Sequence, residues 1–278
     1  VSVSEERVTG IYLWGNNLSG TLPSEIGDLT QLNILSLGYN SLSGSLPQEC
    51  ENLVNLVNLD IPGNQFSGDI PNALYSIASL RFLLLSYNNF TNIDLTSIGN
   101  MSQLEYLGLA GLNLQGSLPV SLFSLVNLTF LVLSNNHFIG DIPSELWNLT
   151  SLNALDLRSN QLTGTLSSEL SKLVHLRSLY LYSNQLTGAV PESINQIPLE
   201  YILEIADNHF TELPHLNGLT NLDMLSIYGN QFTFEDIESN IGIPLSGFFY
   251  TPQAIICEEQ YITVNQGDSR TLSVACGG

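Results

Sequence analysis

The apolar positions of this chain recur on a fixed period. Around Asn40 they fall at Leu32, Leu35, Leu37 and Leu42, and around Asn160 at Leu152, Leu155, Leu157 and Leu162, so one set of offsets returns far along the chain. Asparagines mark the frame. Asn16, Asn40, Asn64, Asn88, Asn136, Asn160, Asn184, Asn208 and Asn230 are spaced by 24 residues, apart from one gap of 48 and a last step of 22. Filling that gap gives ten consecutive units, the fifth with Leu112 at the asparagine position. Self-similarity sustained over this many copies is the signature of a stacked-repeat architecture.

The offsets predict local structure. Apolar residues two apart, such as Leu35 and Leu37 or Leu131 and Leu133, lie on the same side of a strand, and the residue between them faces the other way. Each unit therefore contributes one short parallel strand. No unit can bury its apolar edge alone, so neighbours must stack and share one continuous core. The asparagine sits where the chain leaves the strand, and its amide can serve backbone groups of its own and the adjacent coil. A buried asparagine ladder follows. Most units continue with Gly, then Leu or Ile, then Pro, as in Gly20, Leu22, Pro23 or Gly140, Ile142, Pro143. Gly allows the tight turn and Pro starts an extended convex segment. Stretches such as 144–149 read as short helical or 3₁₀ turns. The fold class is an α/β repeat solenoid with a concave parallel β-sheet and convex 3₁₀ or helical turns.

Two irregularities stand inside the array. Leu112 replaces the ladder asparagine with Asn113 one residue late, and Glu200 takes a core-leucine position beside Leu199. A slip of one residue can rescue either site, and the local ladder should be perturbed at both. The organisation expected is an N-terminal edge over 1–7, repeats over 8–240, and a C-terminal cap or linker over 241–278.

Composition changes the picture in one respect. Hydrophobic content of 44% against 12% charged residues supplies a core, so the chain folds. The formal charge is −20, from 26 acidic and 6 basic residues, and Lys172 is the single lysine. Nucleic acid and anionic membranes are excluded as partners because binding them requires the opposite charge. No run of 18 apolar residues exists for membrane insertion, and 1–7 lack the pattern of a signal peptide. Of three cysteines, Cys257 and Cys276 could pair in an oxidising compartment, while Cys50 stands apart.

The full unit, L x x L x L x x N x L x G x L P x x I x x L x x, resembles the plant-type subclass of leucine-rich repeats. That subclass occurs in plant receptor-kinase ectodomains, polygalacturonase-inhibiting proteins and some bacterial surface proteins. The resemblance covers roughly residues 8 to 240. It implies an extracellular, secreted or surface-attached recognition module for a protein or glycan, without cofactor or metal and acting as a monomer. Val1 to Thr9 contain no cysteine, whereas plant members usually carry a cysteine-paired cap there. The stretch from Phe248, FFYTPQAIICEEQYITVNQGDSRTLSVACGG, is similar to the junction leading into an immunoglobulin-like module in Bacteroidetes-type proteins. Together these imply a bacterial member.

The register also says which side chains a partner would meet. The outward site between the two inner leucines holds Tyr12, Asp156 and Tyr180, and two residues on come Trp14, Arg158, Tyr182 and Tyr228. The flanking columns add Phe82, Tyr106 and Phe130 on one side and Tyr39 and Tyr87 on the other. With strands about 4.8 Å apart, Phe82, Tyr106 and Phe130 are expected to form a nearly continuous aromatic stripe. Exposed aromatics on a polar surface are favoured anchors for protein or sugar.

Catalytic parts are sparse. His137 and His209 occupy equivalent places three units apart, roughly 14 Å by strand spacing, too far to share a metal. Asp156 and Glu204 are two units apart, near 10 Å by the same spacing, which brushes the separation of an inverting glycosidase pair. No G x S x G, Walker loop, H E x x H or C x x C occurs. Glycosylation sequons begin at Asn17, Asn89, Asn100, Asn127 and Asn148, and the repeat template itself generates such strings. Two alternatives to general recognition remain: a plant-like peptide sensor or inhibitor of a wall-degrading enzyme, and, more remotely, ice binding. Thr163 and Thr187 match in register for the latter, but Ser19, Ser43, Ser67 and Ile139 break a uniform array.

Overall fold

A computed structural model describes residues 1–4 and 7–254. Twelve strands form one sheet in chain order. Ser2–Ser4 pairs antiparallel with Arg7–Tyr12, and from there every neighbour is parallel, through to Gly247–Phe249 beside Met224–Ser226. The register is that of the repeat: Leu35 pairs Leu59, Leu107 pairs Leu131, and Leu179 pairs Leu203. Each repeat strand after the first is three residues long because the chain must turn out at the asparagine to reach the next layer.

The inward leucines of these strands are almost wholly buried, with Phe66, Phe138, Phe210 and Phe232 filling the layer behind them. Opposite the sheet, the Pro-initiated segments form 3₁₀ turns such as Ser24–Asp28, Val120–Ser124 and Ser144–Asn148. Unit 4 lacks the Gly-x-Leu-Pro signal. There Asp94 accepts the N–H groups of Thr96 and Ser97 and starts a one-turn α-helix, Leu95–Ile98. The array closes on Phe234–Glu238, held by a Thr233/Asp236 capping box.

The expected ladder is present. Asn88 accepts the Phe66 N–H at Oδ1 and donates Nδ2 to the carbonyls of Ile61 and Leu85. Asn136, Asn160, Asn184, Asn208 and Asn230 repeat this pattern. Asn16 is exposed and Asn40 half-buried because few coils precede them. The residue before each rung has positive φ in all ten units, as in Tyr39, Tyr87, Asn135 and Asp207.

The two irregularities resolve differently. At 200 the slip occurs: Leu199 fills the core place at 2% exposure and Glu200 turns to solvent. At 112 it does not. Leu112 keeps the rung position, buried at 3%, and Asn113 points outward. The reason is chemical. A leucine tolerates that interior, so nothing drives a shift, whereas a buried glutamate would need a partner. The rung's hydrogen bonds are missing there. The edge strands that follow the rungs break at the same point, Asn89–Asn92 ending one sheet and Gln115–Ser117 starting another.

Candidate ligand-binding face

The outward columns of the sheet are not uniformly exposed. Tyr12, Trp14, Tyr39 and Tyr87 are 51%, 57%, 55% and 50% exposed, so half of each large side chain awaits contact. Phe130 is also exposed, and Phe82, Tyr106, Tyr180, Tyr182, Arg158 and Tyr228 are half-buried. Asp156, expected to face outward freely, is 7% exposed. Flanking rings and Arg158 cover it in the middle of the concave surface.

The aromatic stripe is shorter than the register suggested. Tyr106 and Phe130 stack with ring centroids 5.1 Å apart. Phe82 is in register with Tyr106 on the adjacent strand, but among the described residues its ring pairs with no other. A second pair joins Trp14 to Tyr39 at 5.0 Å. The sequence signal for that pair was present, since the two lie in adjacent columns of adjacent units. What it hid is the part played by Gly63 and Gly111. A side-chain carbon at Gly63 would stand 3.1 Å from the Tyr39 ring, and one at Gly111 2.5 Å from the Tyr87 ring. Both glycines have positive φ, so backbone geometry and the neighbouring tyrosine jointly exclude a side chain. Asn135 donates to the Tyr87 hydroxyl at 3.1 Å and pins that ring across two units.

Between these rings lies a depression of about 230 Å³. Tyr39, Tyr87 and Tyr106 wall it, Gly108 and Ala110 form its floor, and Asp156 and Arg158 close one end. A side-chain carbon at Gly108 would meet Leu84 at 3.1 Å, so that position stays low. Burial raises the Asp156 carboxyl above its ordinary value of 3.8, partly offset by Arg158. Burial also raises the Tyr106 phenol, with the Asp156 charge adding to it.

Toward the C-terminal end the large groups contact one another around a second depression of about 290 Å³. Arg158 reaches Asp156 at 3.3 Å and Glu204 at 3.6 Å, and its guanidinium lies 5.0 Å from the Tyr180 ring centroid. Tyr182 and Tyr228 pair at 6.2 Å. Tyr228 is pushed up to about 12, by burial first and then by the Tyr182 hydrogen bond. Asp156 and Glu204, whose spacing brushes that of a glycosidase pair, are thus both approached by one arginine. Among the described residues no group of three or more His, Cys, Asp or Glu could hold a metal ion. Cys50 is buried, and its thiol is pushed up to about 11, by burial first and then by Glu49. Cys257, Cys276 and the immunoglobulin-like junction lie outside the described residues, apart from its start at 248–254.

All five sequon asparagines are exposed. Thr163 and Thr187 fall in different edge sheets, joined only through the isolated bridge from Thr165 to Thr187. A single flat threonine array is therefore not formed there. No described helix is long and apolar enough to cross a membrane.

This architecture is that of a leucine-rich-repeat solenoid. Family profiles described as leucine rich repeat match residues 6–66, 70–138, 151–173 and 175–197, and the chain belongs to the leucine-rich-repeat family. Among curated proteins none matches it. Among solved structures it is similar to the Arabidopsis receptor kinase HAESA in complex with the peptide hormone IDA and the co-receptor SERK1. That match has 29% identity and a TM-score of 0.77, covering 91% of this chain and 47% of the receptor. It is similar also to the plant peptide hormone receptor RGFR1 in complex with RGF2, at 28% identity and a TM-score of 0.71, covering 81% and 39%. A plant ice-binding protein shares the fold alone, at 23% identity and a TM-score of 0.69, covering 88% and 78%. The chain thus spans less than half the length of the receptor structures it resembles.

Proposed function

We propose that this protein is a non-enzymatic recognition module of a secreted or cell-surface protein, holding an extended ligand, protein or glycan, on its concave sheet. The observation that carries this reading is the set of half-exposed rings, Tyr12, Trp14, Tyr39 and Tyr87, fixed on one face by a rigid ladder. Large apolar rings left in water are unfavourable on a folded surface unless a partner covers them. The likeness to receptor structures solved in complex with peptide hormones supports a ligand-binding role. Adhesion or environmental sensing through a monomeric module fits the −20 charge, which keeps copies apart.

The test is a binding screen of the full chain against glycans and extracellular proteins, repeated with Trp14→Ala, Tyr39→Ala and Tyr87→Ala combined. Hits are expected to disappear in the triple variant while its melting profile stays cooperative. Hits of unchanged affinity would remove the concave face as the site.

A further inference from the structure

Resting on the concave-face reading, we infer that the N-terminal part of this face is a subsite for a neutral, extended β-1,4-linked glycan, with one pyranose ring seated in the depression between Tyr87 and Tyr106. Four features of the face lead to this ligand class.

The first is the pairing of rings with hydroxyls. A pyranose presents an apolar C–H face and an equatorial belt of hydroxyls. The depression offers both complements: tyrosine rings for the C–H face, and the phenol hydroxyls of Tyr39 and Tyr87 with Ser86 for the hydroxyls. Its volume of about 230 Å³ admits a single sugar ring.

The second is period. Tyr39 and Tyr87 occupy the same column two units apart, each braced against a glycine of the following unit. Two strand spacings make that separation about 10 Å, which matches the two-sugar period of an extended β-1,4-linked chain. Successive sugars of such a chain turn the same face toward the sheet every second residue, so equivalent faces meet equivalent tyrosines.

The third is charge. The cation facing the depression is Arg158, and Asp156 and Glu204 already engage it. An acidic polysaccharide would meet a face without an available cation on a chain of charge −20. The glycan must therefore be neutral.

The fourth is what the face lacks. A peptide backbone laid across strands needs side chains that both donate and accept, chiefly Asn and Gln. Across the three outward columns and the flank that carries Tyr39 and Tyr87, the amides of the first six units are Asn58 and Asn135, the latter already donating to Tyr87, and the rest are rings, aliphatics, small residues, hydroxyls and Asp60.

The experiment is calorimetric and NMR titration of the full chain with cellohexaose, maltohexaose and hexagalacturonate. Cellohexaose is expected to bind, maltohexaose at least about tenfold more weakly, and hexagalacturonate not at all. Tyr87→Ala and Tyr106→Ala should each weaken cellohexaose by roughly tenfold. Tyr201→Ala, which removes an equally exposed ring outside the three outward columns, should leave it unchanged. Absence of cellohexaose binding at millimolar concentration overturns the glycan assignment, as does binding that survives both tyrosine variants. A peptide ligand lost in Tyr106→Ala, with no cellohexaose binding, would overturn the glycan while leaving the concave-face reading intact. Ligands that bind with all concave variants unaffected would overturn both.

Discussion

The first six units and the last four share one ladder, one core and one sheet, yet their concave faces are in different states. In the first six, Trp14, Tyr39 and Tyr87 stand half in water, and their contacts are with one another, with glycine backbone and with Asn135. In the last four, Arg158 is shared between two carboxylates and a tyrosine ring, and Tyr182 is paired with Tyr228. One half leaves its large rings half in water, and the other gathers its large groups against one another. The difference teaches where to look for a ligand on a repeat protein: not where functional groups are most numerous, but where they remain uncovered.

The largest test asks whether the scaffold is as even as the comparison assumes. Asn88→Leu in the first half and Asn184→Leu in the second each remove one acceptor and two donor bonds inside the core. Each should cost about 3 kcal/mol in denaturant unfolding, since stranded backbone groups cost about 1–3 kcal/mol apiece. Unequal costs would show that the halves differ in scaffold as well as in face. The reverse change, Leu112→Asn, should shift stability by under about 1 kcal/mol, because regained hydrogen bonds offset lost apolar burial there.

Next in size is the ligand effect. Removing Tyr39, Tyr87 and Tyr106 together should lower affinity for whatever the concave face binds by about a hundredfold, about 2.7 kcal/mol. Removing Tyr182 and Tyr228 should change it by less than about twofold, a margin within ordinary surface effects.

Arg158→Ala should mark the second half as self-satisfied. It leaves Asp156 largely buried without its cation, and after allowance for the 40% exposure of the arginine the stability cost should be about 1 kcal/mol by thermal unfolding. The smallest effect is a pH dependence. The Asp156 carboxyl is raised in the folded state, so its contribution to stability is complete below 3.8 and is lost as pH rises through the elevated value. Asp156→Asn should therefore be more stable than the native chain at neutral pH, and the gap should close in acid. A gap that widens in acid would reverse the sign assigned to this group.

How much of this was legible in the sequence follows from what is periodic. Leu35, Leu37 and Asn40 repeat, so strands, core and ladder could be read from spacing alone. The concave columns could be read as positions, and Tyr106 with Phe130 as neighbours, because register alone decides them. What spacing could not supply was depth. Asp156 sits in the same column as Tyr12, yet one is buried and the other half-exposed, because coverage depends on the sizes of the neighbouring side chains, here Arg158 and the rings beside it. Nor did spacing distinguish Leu112 from Glu200. Both are single departures from the template, and only the cost of burying each side chain decides which one slips. The tyrosine and glycine alternation at 39, 63, 87 and 111 was visible as letters, and its meaning required knowing that the rings lean onto the next coil.

The most direct test of the account is one paired screen. The native chain, an N-terminal-face variant lacking Trp14, Tyr39 and Tyr106, and a C-terminal-face variant lacking Tyr182 and Tyr228 would be tested on the same glycan and peptide arrays. The account predicts that ligands of the native chain vanish with the first variant and persist with the second. Ligands that persist with the first variant and vanish with the second would contradict it.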